Sequence, residues 1–169
     1  ERQLARFVKP FGVGRSRSRR AFRQALKEQA RFKERLRLKA QELIAHAAAR
    51  HEPVVVLCGR PYHIDPLINH GIPALMADMG VHVITEDSLP PARREALTNS
   101  RVLTQWAYSN RIMAAAEYVG AQEDMRMVQL TSFGCGLDAV STDEVRRILK
   151  EHGRTHMLIK IDEITNLAP

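Results

Sequence analysis

The chain of 169 residues is 44% hydrophobic and carries a formal net charge of +7 at pH 7. Its length is typical of one domain with a single core and an appended segment. No apolar run approaches the roughly 20 residues that cross a bilayer, and the first residues do not have the pattern of a signal sequence. Its two cysteines are far apart and suggest no disulfide framework. The composition therefore argues against a secreted or membrane-spanning protein, and we expect a cytoplasmic one without a membrane partner.

The two ends of the chain predict missing neighbours. It begins at Glu1 without a methionine and stops at Pro169, shortly after a strand-like segment. We expect an excised or processed piece of a longer protein, so other domains of the same chain are its expected partners.

The positive charge is concentrated at the front of the chain. Residues 1–52 hold 15 Lys and Arg against 5 Asp and Glu, whereas residues 53–169 hold 11 against 14. Such a segment either binds phosphates of RNA or a nucleotide, or forms a solvated face or a contact to an acidic domain. We favour the second interpretation, because aromatic residues suited to base stacking are not interleaved with the basic ones. Nucleic acid is not an expected partner.

Helical periodicity recurs along the chain after an irregular lead-in at residues 1–15. Apolar residues at helical spacing predict a long amphipathic helix up to about Arg50. Further helices are predicted at about 66–79, at about 101–119, and from a capping box at Ser141 to Glu144 up to Gly153.

Four apolar, mostly β-branched runs predict strands at residues 54–58, 81–85, 127–131 and 156–161. Strands that alternate with helices of this length build right-handed βαβ units and a mostly parallel sheet. We predict an α/β fold, a doubly wound four-stranded sandwich of flavodoxin-like or Rossmann-like type with the first strand between the second and third. Residues 53–169 would form this domain, and residues 1–52 a basic lead-in and long helix.

In this topology the loops after the strands open onto one rim. The polar residues of these loops are Arg60, Tyr62, His63 and Asn69 after the first strand, Glu86 and Asp87 after the second, residues 132–138 after the third, and Asp162 and Glu163 after the fourth.

Several of these residues have a chemical and a structural interpretation. His63, with His70, is either part of an acid–base or metal set or a structural residue, while Asp65 is better interpreted as the cap of a helix that starts at Pro66. Arg60 either anchors a phosphate or carboxylate or pairs with an acidic residue, for which the candidates are Glu86, Asp87, Asp138 and Asp162. We interpret Trp106 and Cys58 as core residues.

Among the loops after the strands, residues 132–138 give the most specific indication of a site. Gly134 and Gly136 flank Cys135 and allow close approach of a ligand, so the thiol is either presented to a metal, cluster or substrate or buried in a tight turn. The same glycines with Ala139 match a dinucleotide fingerprint. The match is weak, because the predicted cap at Ser141 places the helix start after the motif.

The loop motifs resemble those of one family. They are Gly-Arg-Pro-Tyr-His-Ile-Asp-Pro (59–66), Ile-Asn-His-Gly-Ile-Pro (68–73), Thr-Glu-Asp (85–87), Gln-Trp-Ala-Tyr (105–108), Gln-Leu-Thr-Ser-Phe-Gly-Cys-Gly-Leu-Asp-Ala (129–139) and Lys-Ile-Asp-Glu-Ile (160–164). Over about residues 53–169 the chain is similar to a region of very long bacterial CoA-substrate-specific enzyme activases. In these, activase-type ATPase modules are fused to segments similar to the iron–sulfur subunits of 2-hydroxyacyl-CoA dehydratases.

The resemblance implies ATP-driven, low-potential electron transfer through a [4Fe–4S]-type cluster, with ATP bound on a separate module. It makes Cys135 the candidate metal ligand of a cluster shared with other domains or with a dehydratase-like subunit, and acyl-CoA a candidate partner. Around it we expect His63, Arg60 and Tyr62 as catalytic residues and Gly134, Gly136, Asp138 and Asn69 as cofactor-binding residues. The chain alone is not expected to be an active enzyme.

The alternative from a different class is a non-catalytic docking module. It would recognise CoA or a nucleotide through Arg60 and the glycine loop, without a metal.

Overall fold

The computed structural model describes residues 1–90, 100–101, 105–132 and 136–161. The helices and strands of these ranges are, in chain order, α1 (Arg2–Val8), α2 (Arg15–Arg50), β1 (Val54–Cys58), α3 (Ile72–Asp78), β2 (His82–Thr85), α4 (Ala107–Gly120), β3 (Met125–Thr131), α5 (Gly136–Glu151) and β4 (His156–Lys160). Short 3-10 turns lie at Lys9–Phe11, Pro61–Ile64 and Glu86–Ser88.

The four strands form one parallel sheet in the order β2-β1-β3-β4. β1 is central, since Val56 pairs with Ile84 of β2 on one side and with Met127 of β3 on the other. All five residues of β1 are buried. A central parallel strand is covered on both faces, and a run of β-branched residues suits that position. The predicted α/β fold and strand order are confirmed.

Alternate residues of β1 face the two layers that cover the sheet. Val54, Val56 and Cys58 join a large core to which α4, α5 and the end of α2 contribute. Val55 and Leu57 join a smaller core with α3. Full burial of a valine or leucine side chain contributes roughly 1.5–3 kcal/mol, so β1 alone accounts for much of the cohesion between the layers.

The chain forms two compact units, residues 1–38 and residues 39–169. In the first unit, the Arg19 Nε lies 2.6 Å from the Glu1 carboxylate. The end of α2 belongs to the second unit, where Ala40 and Ala47 are buried in the larger core. The domain boundary that we predict at residue 52 follows a change of sequence pattern, whereas these two units divide within α2. None of the described helices is both long and apolar enough to cross a membrane.

α3 begins later than the sequence predicts. Asp65 is not a helix cap, because its Oδ1 accepts a hydrogen bond from the N–H of Leu67, only two residues on, at 2.9 Å. His70 and Gly71 then have positive φ values of 53° and 76°. Two left-handed residues in succession interrupt a right-handed helix, so the predicted start of this helix was wrong.

α5 begins earlier than the sequence predicts, and the predicted capping box is wrong. Ser141 and Glu144 lie inside the helix, where the Ser141 hydroxyl donates to the carbonyl oxygen of Leu137, one turn back, at 2.9 Å. The Glu144 carboxylate accepts from the backbone N–H of Arg101 at 2.8 Å. Both side chains thus have partners other than first-turn N–H groups, and the helix starts at Gly136.

α4 begins after Trp106, whose backbone is extended. The Trp106 side chain is 57% exposed, so the prediction that it lies in the core is wrong. Met113 and Ala116, which share the predicted inward face, are buried. The inward face of the helix is thus correct, whereas its predicted start is not.

Candidate functional site

The candidate site lies where β1 and β3 end side by side. The chain leaves β1 for β2 on one side of the sheet and leaves β3 for β4 on the other, so the loops after these two strands diverge. Ligands of parallel α/β proteins bind in the crevice at this switch point. We call this switch point the crevice: residues 59–71 lie on its β1 side, and Ser132 and the first turn of α5 lie on its β3 side.

His63 joins the two sides of the crevice. Its side chain is buried, and its Nδ1 accepts a hydrogen bond of 2.9 Å from the backbone N–H of Arg60. A backbone N–H can only donate, so Nδ1 is unprotonated and the ring proton is on Nε2. The Nε2 lies 2.6 Å from the Ser132 Oγ and donates to it. Ser132 is therefore left with a hydroxyl hydrogen that can be donated to a ligand.

Burial lowers the pKa of His63, and the guanidinium of Arg60 lowers it further, while the Asp138 carboxylate opposes both. The neutral imidazole therefore prevails at neutral pH. Both ring nitrogens have partners within the protein, which favours a role for His63 in orienting Ser132.

Gly59 leaves the space that His63 occupies. A Cβ at this position would overlap the Nδ1 of His63 and would also contact the carbonyl oxygen of Leu130 at 3.2 Å. The φ of Gly59 is not positive, so its backbone does not itself require glycine. The requirement is steric: a larger residue would collide with His63. The glycine after β1 is thus matched to the histidine four residues later.

Arg60 and Asp138 form a second link across the crevice. The Nε and Nη2 of Arg60 donate to the same carboxylate oxygen of Asp138 at 3.0 and 2.7 Å. Asp138 lies in the first turn of α5, where a helix favours a negative charge. Asp138, one of the acidic partners considered from the sequence, is therefore a partner of Arg60 in the structure.

Tyr62 and Asn69 differ in how they face the crevice. Tyr62 is 39% exposed, and its ring stands edge-on to the His63 ring with centroids 4.5 Å apart. Asn69 is buried, donates to the carbonyl oxygen of His63 and accepts from the N–H of Gly71, each at 3.0 Å. Tyr62 is thus accessible to a ligand, whereas Asn69 holds the turn that carries His63.

Cys135 and Gly134 lie outside the described residues, so their predicted roles remain predictions. The residues on either side, Ser132 and Gly136, are described and lie on the β3 side of the crevice. Because α5 starts at Gly136, the helix begins inside the glycine motif and not after it. The predicted helix start at Ser141, which made the match to a dinucleotide fingerprint weak, is therefore wrong.

A second polar group, not anticipated from the sequence, lies at the ends of β1 and β2. The Glu86 carboxylate, with 7% of its side chain exposed, accepts a hydrogen bond of 2.7 Å from Arg111 of α4. Burial raises the pKa of Glu86 to about 7, although Arg111 opposes this shift. Burial also raises the pKa of the Cys58 thiol well above its usual value, with a smaller effect from the Glu86 charge. The place of Glu86 after β2 follows from the sequence, whereas no spacing in the sequence points to Arg111 as its partner.

The crevice does not contain a ready-made metal site among the described residues. His63, Asp65 and His70 are not brought together as three ligands of one ion. Cys58 is 1% exposed and belongs to the core. A cluster at this rim would therefore depend on Cys135 and on ligands from other domains.

No curated protein and no solved structure matches this chain. A family model described as the CoA enzyme activase uncharacterised domain (DUF2229) matches residues 1–89. The match runs from α1 to just past β2, so it takes in the basic segment that lies outside the motifs at residues 53–169, and it covers more than half of the chain. The chain belongs to the family of CoA enzyme activase uncharacterised domains.

Proposed function

We propose that this domain forms one side of a crevice for an iron–sulfur cluster or a CoA substrate in a CoA enzyme activase-related protein. Cys135 would supply one ligand to a [4Fe–4S]-type cluster shared with other domains of the chain or with a dehydratase-like subunit. ATP would bind on a separate module and drive low-potential electron transfer.

One observation carries this proposal. The segment that bears Cys135 is flanked by two residues that bond across the switch point, Ser132 to His63 and Asp138 to Arg60. Both described flanks of this segment are therefore held at the switch point, where ligands of parallel α/β proteins bind.

The residues present fit a shared cluster better than a complete one. A cubane is ordinarily held by about four thiolates, and this chain has two cysteines, of which Cys58 is buried in the core. Such a cluster supplies one-electron chemistry when it is bound. The chain's own part would be to hold Cys135, to offer the Ser132 hydroxyl as a donor and to present the exposed Tyr62 ring.

A cytoplasmic location belongs to the same proposal. A free core thiol and a thiolate ligand persist in a reducing compartment, whereas oxidising compartments favour disulfides.

Anaerobic reconstitution of the protein with iron and sulfide, in the presence of its partner domains, tests the proposal. Cys135→Ala should lower bound iron and sulfide and the visible absorbance of the cluster. Cys58→Ala, which removes a core thiol, is the matched control and should retain both. Equal iron content in the wild type and Cys135→Ala would remove Cys135 from the site.

The start of α5 at Gly136 favours a second candidate, a metal-free module that binds CoA or a nucleotide. The exposed N–H groups of a helix that begins inside a glycine motif bind phosphate. Arg60 would then contact the phosphates, at the expense of its bonds to Asp138. Calorimetry of the iron-free chain with CoA, acetyl-CoA and ATP tests this candidate, because it requires heat of binding without any metal and without partner domains. A domain that binds none of them would leave the cluster proposal as the one to pursue.

A further inference from the structure

A separate group of ligating side chains lies at the opposite end of the sheet from the crevice. It consists of His46 in α2, Glu52 in the turn before β1, and His82, the first residue of β2. One ligand atom from each residue lies within 4.8 Å of the other two. The His82 Nε2 is 2.6 Å from a Glu52 oxygen, and the His46 and His82 rings meet edge to face with centroids 5.8 Å apart.

The backbone fixes two of these three positions. α2 ends where His51 takes a left-handed φ of 56°, which lets the Glu52 N–H bond back to the carbonyl oxygen of Ala47 at 3.0 Å. The His82 N–H donates to the carbonyl oxygen of Pro53 at 3.0 Å, so β2 starts beside the same turn. His46 comes from the last turns of α2 and is exposed, so its ring is the adjustable member.

We propose that His46, Glu52 and His82 form a binding site for a divalent transition-metal ion of borderline softness, such as Zn²⁺. Two imidazoles and one carboxylate are a common ligand set for zinc, which holds each of them at about 2.0–2.2 Å in a tetrahedron. The ligand atoms of such a tetrahedron are about 3.4 Å apart. The present distances, from 2.6 Å up to 4.8 Å, bracket this value, so rotation of the exposed His46 side chain and a small shift of the half-buried Glu52 and His82 side chains are enough to reach it.

Of the charges beside the site, the Glu52 carboxylate favours a bound cation and Arg50 opposes it. The hydrogen bond from His82 is the main cause that lowers the pKa of Glu52, so the carboxylate is already ionised in this position. The Arg50 Nε lies 3.5 Å from the other oxygen of Glu52 and opposes a second cation. The oxygen that faces His82 is the one that remains for the metal.

The site would link the end of α2 to β2 and leave one coordination position open to water or an outside ligand. Since the ion binds the folded arrangement of all three ligands, it should stabilise the domain, and the stabilisation should grow with the logarithm of the ion concentration above the dissociation constant. This property is independent of the crevice and of any cluster or CoA bound there.

Titration of the 169-residue chain with Zn²⁺, in competition with a chromophoric chelator, tests the proposal. A Cys135→Ala background removes the thiol as a rival zinc ligand. One Zn²⁺ per chain should bind, and His46→Ala or His82→Ala should weaken binding at least about tenfold. His46 is exposed, so its replacement leaves the core intact. His51→Asn removes the neighbouring exposed imidazole, keeps a residue suited to the left-handed φ, and should bind as the parent does.

Arg50→Gln provides a test in the opposite direction. Removal of a positive charge near Glu52 should tighten zinc binding about threefold to tenfold at low salt. The metal should also raise the melting temperature of the parent and of Arg50→Gln but not that of His46→Ala. No saturable binding, or equal affinity in the parent and His46→Ala, would overturn the proposal, as would a loss of binding in His51→Asn.

Discussion

At the scale of single residues, the crevice depends on one neutral imidazole. Protonation of the His63 Nδ1 would set two donors, this nitrogen and the Arg60 N–H, against each other in a buried position. The low pKa of His63 agrees with this geometry. Ser132 is thus held by a group that does not change charge near neutral pH, and a ligand bound there meets a fixed donor.

Gly59→Ala should destabilise the protein. The new Cβ would overlap the His63 ring and meet the backbone at Leu130, which cannot move away, so the expected cost is about 1–3 kcal/mol. Urea unfolding followed by circular dichroism measures it. Gly14→Ala is the control, since a Cβ there meets no atom within 4 Å. If Gly59→Ala unfolded at the same urea concentration as the wild type, the His63 ring would not lie against this glycine.

Glu86→Gln should change how stability depends on pH. The pKa of Glu86 is about 7 in the folded protein against 4.5 for a glutamate in the unfolded chain, so between these two pH values the folded state holds a proton that the unfolded state releases. The wild type should therefore lose stability as pH rises from about 4.5 to about 7. Glu86→Gln carries no such charge, so its stability relative to the wild type should rise by up to about 3 kcal/mol over this range.

Denaturant unfolding at several pH values gives this difference. The lowered pKa values of His63 and His156 act in the opposite direction, but they are common to both proteins and cancel. Arg111 holds the pKa of Glu86 down, so in Arg111→Gln the loss of stability should extend to higher pH. A pH-independent difference between the wild type and Glu86→Gln would show that the pKa of this carboxyl is the same in the folded and unfolded states.

The choice of partner is what the sequence leaves open at this scale. The rim position of Arg60 follows from its place after a strand, yet four carboxylates were equally suitable partners. Asp138, 78 positions away, is bonded to Arg60, Glu86 pairs with Arg111, and Asp162 lies outside the described residues. Such choices depend on distances of a few ångströms, which no spacing in the sequence encodes.

At the scale of elements, strands were easier to predict than helix starts. The central strand agrees in both bounds, and the other three begin or end within about two residues of prediction, because β-branched runs match buried parallel strands. Helix starts depend on where one side chain forms a hydrogen bond. Asp65 and Ser141 are residues that favour caps, and each bonds a different backbone group in the folded chain.

Ser141→Ala separates the two positions for the start of α5. At a helix N-cap the loss of the hydroxyl would cost about 0.5–2 kcal/mol. Inside α5 the hydroxyl bonds only to the preceding turn, and alanine has the higher helix propensity, so a change within about 0.5 kcal/mol is expected. Thermal and urea unfolding measure this change. A loss of about 2 kcal/mol in the free energy of unfolding would show that Ser141 is a helix N-cap after all.

At the scale of the whole chain, the sheet separates two kinds of chemistry. The carboxyl ends of β1 and β3 carry the bonded crevice, while the beginning of β2 carries the His46, Glu52 and His82 group. Parallel strands make this separation possible, because all loops that follow strands lie at one edge and all loops that precede them lie at the other. Substitutions that test the site at one edge of the sheet therefore leave the residues of the other site unchanged.

The charge of the chain is separated in a similar way. Residues 1–38 hold 13 Lys and Arg against 3 Asp and Glu, whereas residues 39–169 hold 13 against 16. Some of the basic side chains of α2 are already paired on its surface, as Arg31 is with Glu28 and Arg37 with Glu34. This pairing favours a solvated face over a site for nucleic acid.

Retention on heparin should therefore depend on residues 1–38 alone. The full chain should be retained at low salt and released as salt rises, because its positive charges release counterions from the polyanion. A chain of residues 39–169, with a net negative charge, should flow through, provided that its circular dichroism shows a folded sheet. Arg15→Gln combined with Arg17→Gln and Arg20→Gln should shift elution of the full chain to lower salt. If the full chain bound one RNA far more tightly than heparin of similar charge, the basic segment would recognise nucleic acid and the solvated-face interpretation would be wrong.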